Sequence, residues 1–380
     1  MEKVKVVIIG YGSMGRLYSD MLASGQVPEL ELYGICCRNP QYHVDIGIKF
    51  PQVKIYPSDS EAFFDHQAYN AIIITTPHKT HVQIALKALS NGLHVLCEKP
   101  LGVSLQEAKE LQSASNMFNC QFAMVFNWRT RAVFSKVKDL ISQGGLGKIS
   151  HAVWIANFWY RTSYYHHLNP WRSSWTGEGG GLAINQMQHV FDIWNWLFGI
   201  PEEVNSVVSY GKFNEISVDD SFEALFTYQN GLHGVCIASS GESPGSNHFE
   251  IHGTLGKVVI ENNTLKYYRN ETPSNEFGRI AIVTTGLPYV EEDFIFEDRG
   301  NAEYVEILRD FGDSILQGKN TIASLAAGLG ALTIANAVYL SSWKKTPIKI
   351  PFDDKEYQKL LDEHIIYEEN GEGSPRGDFV

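Results

Sequence analysis

Three glycines near the start of the chain have the spacing of a phosphate-binding turn. Gly10, Gly12 and Gly15 follow the apolar run Val4–Ile9 and precede a helical pattern. The first permits a tight turn, the second lets backbone amides approach a pyrophosphate, and the third allows helix–strand packing. A dinucleotide site is therefore predicted, the alternative being a glycine-rich turn without a ligand. The predicted contacts are Gly10, Tyr11, Gly12, Ser13, Met14 and Gly15.

The end of the second apolar run bears on which dinucleotide would bind. An acidic residue there would accept hydrogen bonds from the ribose hydroxyl of NAD. The run ends Ile35-Cys36-Cys37-Arg38-Asn39 and contains no acid. Arg38 has the charge to meet a 2′-phosphate, although it also suits the adenine face or a solvated strand end. The sequence therefore predicts Arg38 as a cofactor contact and leaves both NAD and NADP open.

Polar residues follow two further apolar runs, Ala71–Thr75 and His94–Cys97. Ligands bind at the carboxyl ends of strands in parallel sheets. Lys99 lies beside a rigid proline turn and is predicted to be functional, whereas Glu98 is predicted to be a cofactor or structural contact. The cofactor contacts expected from these two loops are Thr75, Thr76, Pro77, His78, His81, Glu98 and Lys99.

A second polar group follows a triple glycine at 179–181. We predict one helix over Leu182–Phe198, on which Asn185 and His189 are four residues apart and share a face. Asp192 has the spacing to orient the His189 imidazole. Polar side chains among apolar neighbours cost on the order of a few kcal/mol unless they are partnered. The pattern predicts catalytic roles for Asn185 and His189, with a satisfied core histidine as the alternative.

Aromatic and basic residues cluster in the two segments Phe158–Tyr165 and Trp171–Trp175. Sugars present apolar C–H faces that pack on aromatic rings, and hydroxyls that need donors and acceptors. Arginines there have the chemistry to bind a phosphate or carboxylate of the substrate. A core or interface role is the alternative for the rings. The predicted substrate contacts are Tyr160, Arg161, Tyr164, Tyr165, Trp171, Arg172, Trp175, Asn185 and His189.

The elements that must position these residues change in type near residue 127. Before it, short apolar runs alternate with helical patterns, which is typical of an α/β doubly wound parallel sheet. After it, alternating strands separated by turns predict an α+β unit with a large, mostly antiparallel sheet. We therefore predict a dinucleotide-binding domain over residues 1–127 and a substrate-binding and oligomerisation domain over residues 128–380.

Composition limits which partners the protein is expected to bind and in which compartment it is expected to lie. The net charge of -12 argues against nucleic acid, and we expect no apolar run of the roughly 18 residues that a membrane span needs. The predicted strand Val4–Ile9 begins three residues after the first Met, which leaves no room for a signal peptide. The five cysteines form no C-x-x-C pair. His151, His166 and His167 lack zinc-ligand spacing. We expect a cytoplasmic protein with no metal and no nucleic-acid or membrane partner.

These motifs together resemble the Gfo/Idh/MocA family of oxidoreductases, named for glucose–fructose oxidoreductase and inositol dehydrogenase. The match runs nearly the full chain, and Glu98-Lys99-Pro100 with the downstream His189 is its most diagnostic part. The resemblance implies a Rossmann domain, then an α/β domain whose open-faced sheet often forms the interface of a homodimer or homotetramer. It assigns the family's lysine to Lys99 and its histidine to His189. Where the family commonly has an aspartate this chain has Asn185, which cannot take a proton at pH 7.

The functional hypothesis is reversible, NAD(P)-dependent oxidation of a secondary hydroxyl of a sugar, cyclitol or sugar derivative. His189 would take the hydroxyl proton, Lys99 would stabilise the same oxygen, and the nicotinamide would take the carbon-bound hydrogen as hydride. Three alternatives stay open: an NAD-dependent glycoside hydrolase or lyase that oxidises the sugar transiently, a reductase of imines or carbonyls, and a non-catalytic nucleotide sensor. The sugar, the oxidised carbon, the direction and the pathway are left open.

Overall fold

The chain forms two compact units. The computed structural model describes residues 3–371. The first unit runs to Arg129 and also includes Gly300–Leu332, and the second consists of Thr130–Arg299 and the chain from Thr333 onward. The predicted domains were contiguous and divided between residues 127 and 128, so they did not assign Gly300–Leu332 to the first unit. Helical periodicity shows that residues 302–316 bury one face, but it does not show which unit covers that face.

Six parallel strands form the sheet of the first unit, in the order β3-β2-β1-β4-β5-β6. The strands are β1 (Val4–Ile9), β2 (Leu30–Cys36), β3 (Lys54–Tyr56), β4 (Ala71–Ile74), β5 (His94–Cys97) and β6 (Phe122–Met124). Their apolar side chains are buried, as expected for strands covered on both faces. The strand order reverses between β1 and β4, which is where doubly wound sheets bind ligands. The predicted doubly wound parallel sheet is confirmed.

The helices of the first unit pack on this sheet. They are α1 (Ser13–Ala23), α2 (Gln41–Lys49), α3 (Asp59–Phe64), α4 (His81–Ser90), α5 (Leu105–Phe118) and α10 (Ala302–Gln317). Ser104 caps the start of α5, since its hydroxyl accepts a hydrogen bond from the Gln106 amide at 3.3 Å. Sequence reasoning missed α2 because this helix buries a single side chain, Ile46, and has a weak apolar pattern.

The second unit is built on a nine-stranded sheet in the order β14-β13-β12-β11-β7-β10-β9-β8-β15. Among the described strands β7 and β10 pair in parallel and the other neighbours are antiparallel. The strands are β7 (Ile149–Ala156), β8 (Glu203–Tyr210), β9 (Asp219–Thr227), β10 (His233–Ser239), β11 (Asn247–Gly253), β12 (Gly256–Glu261), β13 (Thr264–Asn270), β14 (Tyr289–Ile295) and β15 (Ile348–Lys349). The predicted large, mostly antiparallel sheet is confirmed.

Helices of the second unit are α6 (Ala132–Ser142), α7 (Ser163–His167), α8 (Gln188–Phe198), α9 (Ser274–Ile280) and α12 (Asp354–Glu369). Helix α8 is buried along most of its length, and its Trp194 packs against Phe226 and Phe249. This packing holds α8, on which His189 lies, against the sheet.

Helix α11 (Leu325–Lys344) corrects one expectation from composition. By length and composition it is apolar enough to cross a membrane, which the search for apolar runs did not foresee. However, 83% of its apolar window is buried inside the protein. Its small residues, such as Ala331, Ala335 and Ala337, are fully buried. We therefore interpret α11 as a core helix.

Candidate active site

The turn after β1 has the geometry that a dinucleotide pyrophosphate requires. Gly10 has a φ of +105°, and a Cβ there would lie 2.8 Å from the Thr75 carbonyl oxygen. At Gly15 a Cβ would lie 2.2 Å from the Gly10 carbonyl oxygen. At Gly12, by contrast, no atom of the described residues lies within 4 Å of the Cβ position. The backbone needs Gly10 and Gly15 for its own packing, whereas Gly12 keeps the space above the turn open.

Helix α1 begins at Ser13, inside the same turn. Its first turn contains no acidic side chain, so the partial positive charge of its N-terminus is not cancelled. The open space at Gly12 and this helix terminus together fit the phosphates of a dinucleotide. Tyr11 and Met14 of the predicted segment are partly buried and pack against apolar clusters of the first unit, so their cofactor contacts stay predictions.

The loops after β4 and β5 are tied together by a buried histidine. His81 is 1% exposed. One ring nitrogen lies 2.7 Å from the Pro100 carbonyl oxygen, and the other lies 2.8 Å from the Thr76 carbonyl oxygen. Burial lowers the pKa of His81. These contacts show how His81 positions both loops, while the direct cofactor contact predicted for it stays a prediction, as do those of Pro77 and His78.

Glu98 supports the backbone of Lys99. Its carboxylate is 7% exposed and accepts hydrogen bonds from the Tyr18 hydroxyl and, at 3.0 Å, from the Lys99 amide. Burial raises the pKa of Glu98, although the Tyr18 hydrogen bond and the Lys99 charge oppose that shift. Lys99 itself is half-buried and lies two residues beyond the end of β5. Glu98 therefore positions the Lys99 backbone, and the cofactor contact predicted for Glu98 stays a prediction.

Arg38 has an acidic neighbour that the sequence did not reveal. Its guanidinium lies 2.9 Å from the carboxylate of Asp59, and its side chain is 73% exposed. Asp59 is the first residue of α3, 21 positions further along the chain, so no local motif joins the two. The β2 end therefore carries both a cation suited to a 2′-phosphate and an anion suited to a ribose hydroxyl.

The segment before α8 differs from the prediction. The predicted single helix over 182–198 is wrong in its first part, since α8 begins at Gln188 and residues 182–187 form turns. Asn185 therefore lies in a turn and His189 in a helix, and the shared helical face proposed for them does not exist. The reason lies in the buried Asp219, whose carboxylate accepts hydrogen bonds from the Gly181 and Ala183 amides, both at 2.7 Å.

Asp219 offers a test of this arrangement through pH. Burial raises its pKa from 3.8 to about 6, against the opposing effect of the Tyr339 hydroxyl and the two amides. A raised pKa in the folded state means that this group's contribution to stability is complete below its unfolded pKa. That contribution is lost as the pH rises through about 6.

We therefore expect the stability of the wild type relative to Asp219→Asn to fall by on the order of 2–3 kcal/mol between pH 4 and pH 7.5. Urea unfolding at several pH values measures this difference. Asp293→Asn, an exposed carboxylate on β14, is the matched control and should track the wild type. If the stability of the wild type relative to Asp219→Asn stays constant or rises with pH, the assigned environment of Asp219 is contradicted.

Asn185 is held by Glu178 and Tyr165, and the sequence did not predict either contact. Its amide nitrogen donates to the Glu178 carboxylate at 2.6 Å and lies 3.3 Å from the Tyr165 hydroxyl oxygen. Gln186 also donates to this hydroxyl, at 3.2 Å. Glu178 is 2% exposed, and no sequence motif identified it as a site residue. A carboxylate only accepts hydrogen bonds, so Asn185 must present its carbonyl oxygen on the other side.

The predicted aromatic contacts divide into two groups. Trp175 is 1% exposed, and its indole donates to the Ser217 carbonyl at 2.9 Å. This burial corrects its predicted role, because a ring enclosed in the core has no face for a sugar. Tyr160 and Tyr164 are exposed, and Trp171 is half-buried. The predicted contacts that the structure brings together are Arg161, Tyr165, Arg172 and Asn185.

The two predicted catalytic groups belong to different units. Lys99 lies in the first and His189 in the second. Their convergence on one substrate oxygen stays a prediction. Asp192 is fully buried on α8, three residues after His189, and its orienting role also stays a prediction.

The two parts of the chain match two different family models. Residues 4–126 match a family model described as an oxidoreductase family with an NAD-binding Rossmann fold. Residues 134–259 match a model described as the GFO/IDH/MocA C-terminal domain. The two matches account for the parallel sheet and for much of the nine-stranded sheet.

Two relatives match over most of the chain. Levoglucosan dehydrogenase from Pseudarthrobacter phenanthrenivorans is 24% identical, with 92% of this chain and 99% of the relative covered. The scyllo-inositol 2-dehydrogenase (NADP(+)) IolW from Bacillus subtilis is 22% identical, with 92% and 97% covered. Among solved structures, the WlbA dehydrogenase from Bordetella pertussis, in complex with NADH and UDP-GlcNAcA, has a TM-score of 0.77 at 21% identity, covering 93% of this chain and 100% of that one.

Proposed function

Because the chain belongs to the Gfo/Idh/MocA family of oxidoreductases, we propose that it reversibly oxidises a secondary hydroxyl of a sugar, cyclitol or sugar derivative. The observation that carries this proposal is the polar group formed by the Asn185 amide, which Glu178 holds, with the Tyr165 phenol and the Gln186 amide. A hydroxylated substrate needs donors and acceptors of this kind. The relatives named for levoglucosan and scyllo-inositol dehydrogenation support the same substrate class.

The first unit is an NAD-binding Rossmann domain, and its residues fit the cofactor. The turn at 10–15 would hold the pyrophosphate, and the loops after β4 and β5 would border the nicotinamide. When bound, the nicotinamide supplies the acceptor for the hydride that leaves the substrate carbon. Arg38 and Asp59 would border the adenine ribose at the end of β2, and their pairing leaves both NAD and NADP open.

In the proposed reaction the protein handles the proton and the oxygen. Lys99 donates a hydrogen bond to the substrate oxygen and stabilises its developing negative charge. Glu98 holds the Lys99 backbone in place. His189 accepts the hydroxyl proton as a neutral imidazole. Asn185 accepts a hydrogen bond from a substrate hydroxyl and takes no proton.

The decisive experiment measures absorbance of reduced nicotinamide across a panel of sugars and cyclitols, once with NAD and once with NADP. The proposal expects turnover with at least one polyol and none with the His189→Asn variant. Cleavage of a glycoside without net reduced nicotinamide would favour the hydrolase or lyase instead. Turnover that requires an imine or ketone and runs only toward reduction would favour the reductase.

Glu178→Gln tests the orientation of Asn185. A glutamine at 178 can present either its carbonyl oxygen or its NH2 group to Asn185. The Asn185 amide is then no longer restricted to the orientation in which its nitrogen faces residue 178. We expect kcat/KM for the polyol to fall about tenfold, the equivalent of one hydrogen bond, chiefly through KM. The control Glu291→Gln alters an exposed carboxylate on β14 and should leave kcat/KM unchanged. An unchanged KM in Glu178→Gln would show that Asn185 is held some other way.

We also propose a cytoplasmic homodimer or homotetramer. Within the described residues the five cysteines are free thiols, four of them buried, as suits a reducing compartment. Sedimentation velocity of the purified protein tests the assembly, and a monomer at micromolar concentration would refute it.

A further inference from the structure

We propose that the substrate carries a carboxylate, which binds at a cluster formed by Arg161, Tyr165, His166 and Arg172, here named the Tyr165 cluster. This inference rests on the proposed function, because it specifies one feature of the hydroxylated substrate. It concerns a binding group beside the reacting hydroxyl and assigns no further chemical step.

Two guanidinium groups approach the same tyrosine ring. The central guanidinium carbon of Arg161 lies 4.6 Å from the centroid of the Tyr165 ring, and that of Arg172 lies 4.9 Å from it. Arg172 also donates to the Tyr165 hydroxyl at 2.8 Å. Two like charges held this close repel each other unless an anion lies between or beside them.

The nearby carboxylate balances only one of these charges. Glu178 lies 3.6 Å from the Arg172 guanidinium, and its oxygens also accept from the Ser173 amide and from Asn185. Within residues 3–371, Arg161 makes no ion pair with a carboxylate. The cluster therefore has one positive charge in excess, although the whole chain has a net charge of -12.

Buried N–H groups of the cluster lack partners. The Nε atoms of Arg161 and Arg172 are buried, with no hydrogen-bond acceptor among the described residues. His166 is 8% exposed, its Nδ1 lies 2.6 Å from the Ser173 hydroxyl, and its Nε2 is likewise buried without a partner in the described chain. When the Ser173 hydroxyl donates to Nδ1, Nε2 carries the ring proton and becomes a donor. Burial without a partner is costly, so these atoms indicate a ligand that accepts hydrogen bonds.

The electrostatic surroundings of His166 agree with this reading. Burial lowers its pKa, and the charges of His167, Arg161 and Arg172 lower it further. The histidine is therefore a neutral hydrogen-bonding group in a positive environment. An entering anion would meet two guanidinium groups and a neutral imidazole.

The cluster adjoins the residue that would bind the substrate hydroxyl. The Tyr165 hydroxyl oxygen lies 3.3 Å from the Asn185 amide nitrogen and 3.2 Å from that of Gln186. One small molecule can therefore place a hydroxyl at Asn185 and an acidic group at Arg161. A planar carboxylate matches the fork of a guanidinium, and its single charge equals the excess charge of the cluster. A phosphate ester carries closer to two charges at pH 7 and would leave one uncompensated.

The test compares matched ligands that differ in the acidic group. We would measure binding of D-glucuronate, D-galacturonate, D-glucose, D-galactose and D-glucose 6-phosphate by calorimetry, with the protein saturated with dinucleotide. At least one uronate should bind ten or more times tighter than its neutral sugar. Arg161→Gln should abolish this preference, whereas Arg269→Gln, an exposed arginine on β13, should preserve it.

A second measurement does not depend on the stereochemistry of the sugar. Phenylglyoxal modifies accessible arginines, and peptide mass spectrometry reports the rate at each one. Malonate at millimolar concentration should slow modification of Arg161 at least threefold and leave Arg269 unaffected. Equal protection of both arginines would overturn the subsite.

The outcomes separate this inference from the proposed function. Equal binding of uronates and neutral sugars, unaffected by Arg161→Gln, overturns the carboxylate site even if neutral polyols are oxidised. Tighter binding of the sugar phosphate than of either uronate overturns the choice of a carboxylate. Tight uronate binding that Arg161→Gln abolishes supports the site, even if no panel compound reduces the nicotinamide and the proposed function fails.

Discussion

We expect Lys99→Met to lower kcat for polyol oxidation by about 10²–10³-fold while leaving dinucleotide affinity within a factor of two. The ammonium group stabilises charge that develops on the substrate oxygen, and removing one such donor has an effect of this size in other active sites. Methionine has nearly the same length, so the half-buried stem of the side chain keeps its packing. Steady-state kinetics with the polyol identified from the panel gives the measurement.

The control for this prediction separates chemistry from folding. Lys319→Met removes an exposed lysine of the same unit, just beyond α10, and should leave kcat unchanged. Melting temperatures of both variants should match the wild type. Full turnover by Lys99→Met with normal cofactor binding would remove Lys99 from the reaction, and with it the mechanism proposed above.

Gly12→Val should weaken dinucleotide binding by on the order of 100-fold without destabilising the fold. The backbone of Gly12 has φ −78° and ψ −161°, an extended conformation that any residue adopts. A valine side chain there would project into the open space above the turn and exclude the pyrophosphate from the amides of α1. The lost interactions are charge-assisted hydrogen bonds of about 1.5–3 kcal/mol each, which corresponds to this change in affinity.

Two glycine variants serve as controls for Gly12→Val. Gly15→Ala would place a Cβ 2.2 Å from the Gly10 carbonyl oxygen, so it should lower the melting temperature, unlike Gly12→Val. In Gly47→Ala, in α2, the added Cβ would lie 4.0 Å from its nearest neighbouring atom, so this variant should weaken neither dinucleotide binding nor folding. Binding is measured by fluorescence titration with NADH. Wild-type affinity in Gly12→Val would show that the pyrophosphate lies elsewhere.

The sequence was a good guide wherever a structural requirement is local. Strands β1 and β5 were predicted with the bounds that the structure has, because a short apolar run that is buried on both faces has few charges and is bounded by turn residues. The same holds for the glycine turn, since Gly10 and Gly15 are required by contacts within the strand–turn–helix unit and its neighbouring loop. Lys99 lies two residues beyond the end of β5, the strand end at which the sequence located it, while its role stays a prediction.

Periodicity alone failed where distant side chains reshape the backbone. The run from Leu182 to Phe198 reads as one apolar helix, yet its first six residues are turns held by Asp219, which lies more than thirty residues further along the chain. Trp175 shows the same limit. Aromatic residues suit a sugar face and a protein core equally well, and the Ser217 carbonyl and the surrounding rings place this indole in the core.

The amino-acid sequence by itself determined the two kinds of sheet and the dinucleotide turn, because each depends on patterns within a few residues. The roles of Lys99 and His189 stay predictions. The tertiary structure alone decided that Asp59 pairs with Arg38 and that Glu178 orients Asn185. It also decided that Arg161 keeps an unbalanced charge in the Tyr165 cluster. Hydrogen bonds and ion pairs act over a few ångströms in space, and spacing along the chain does not encode which distant side chains the fold brings within that range.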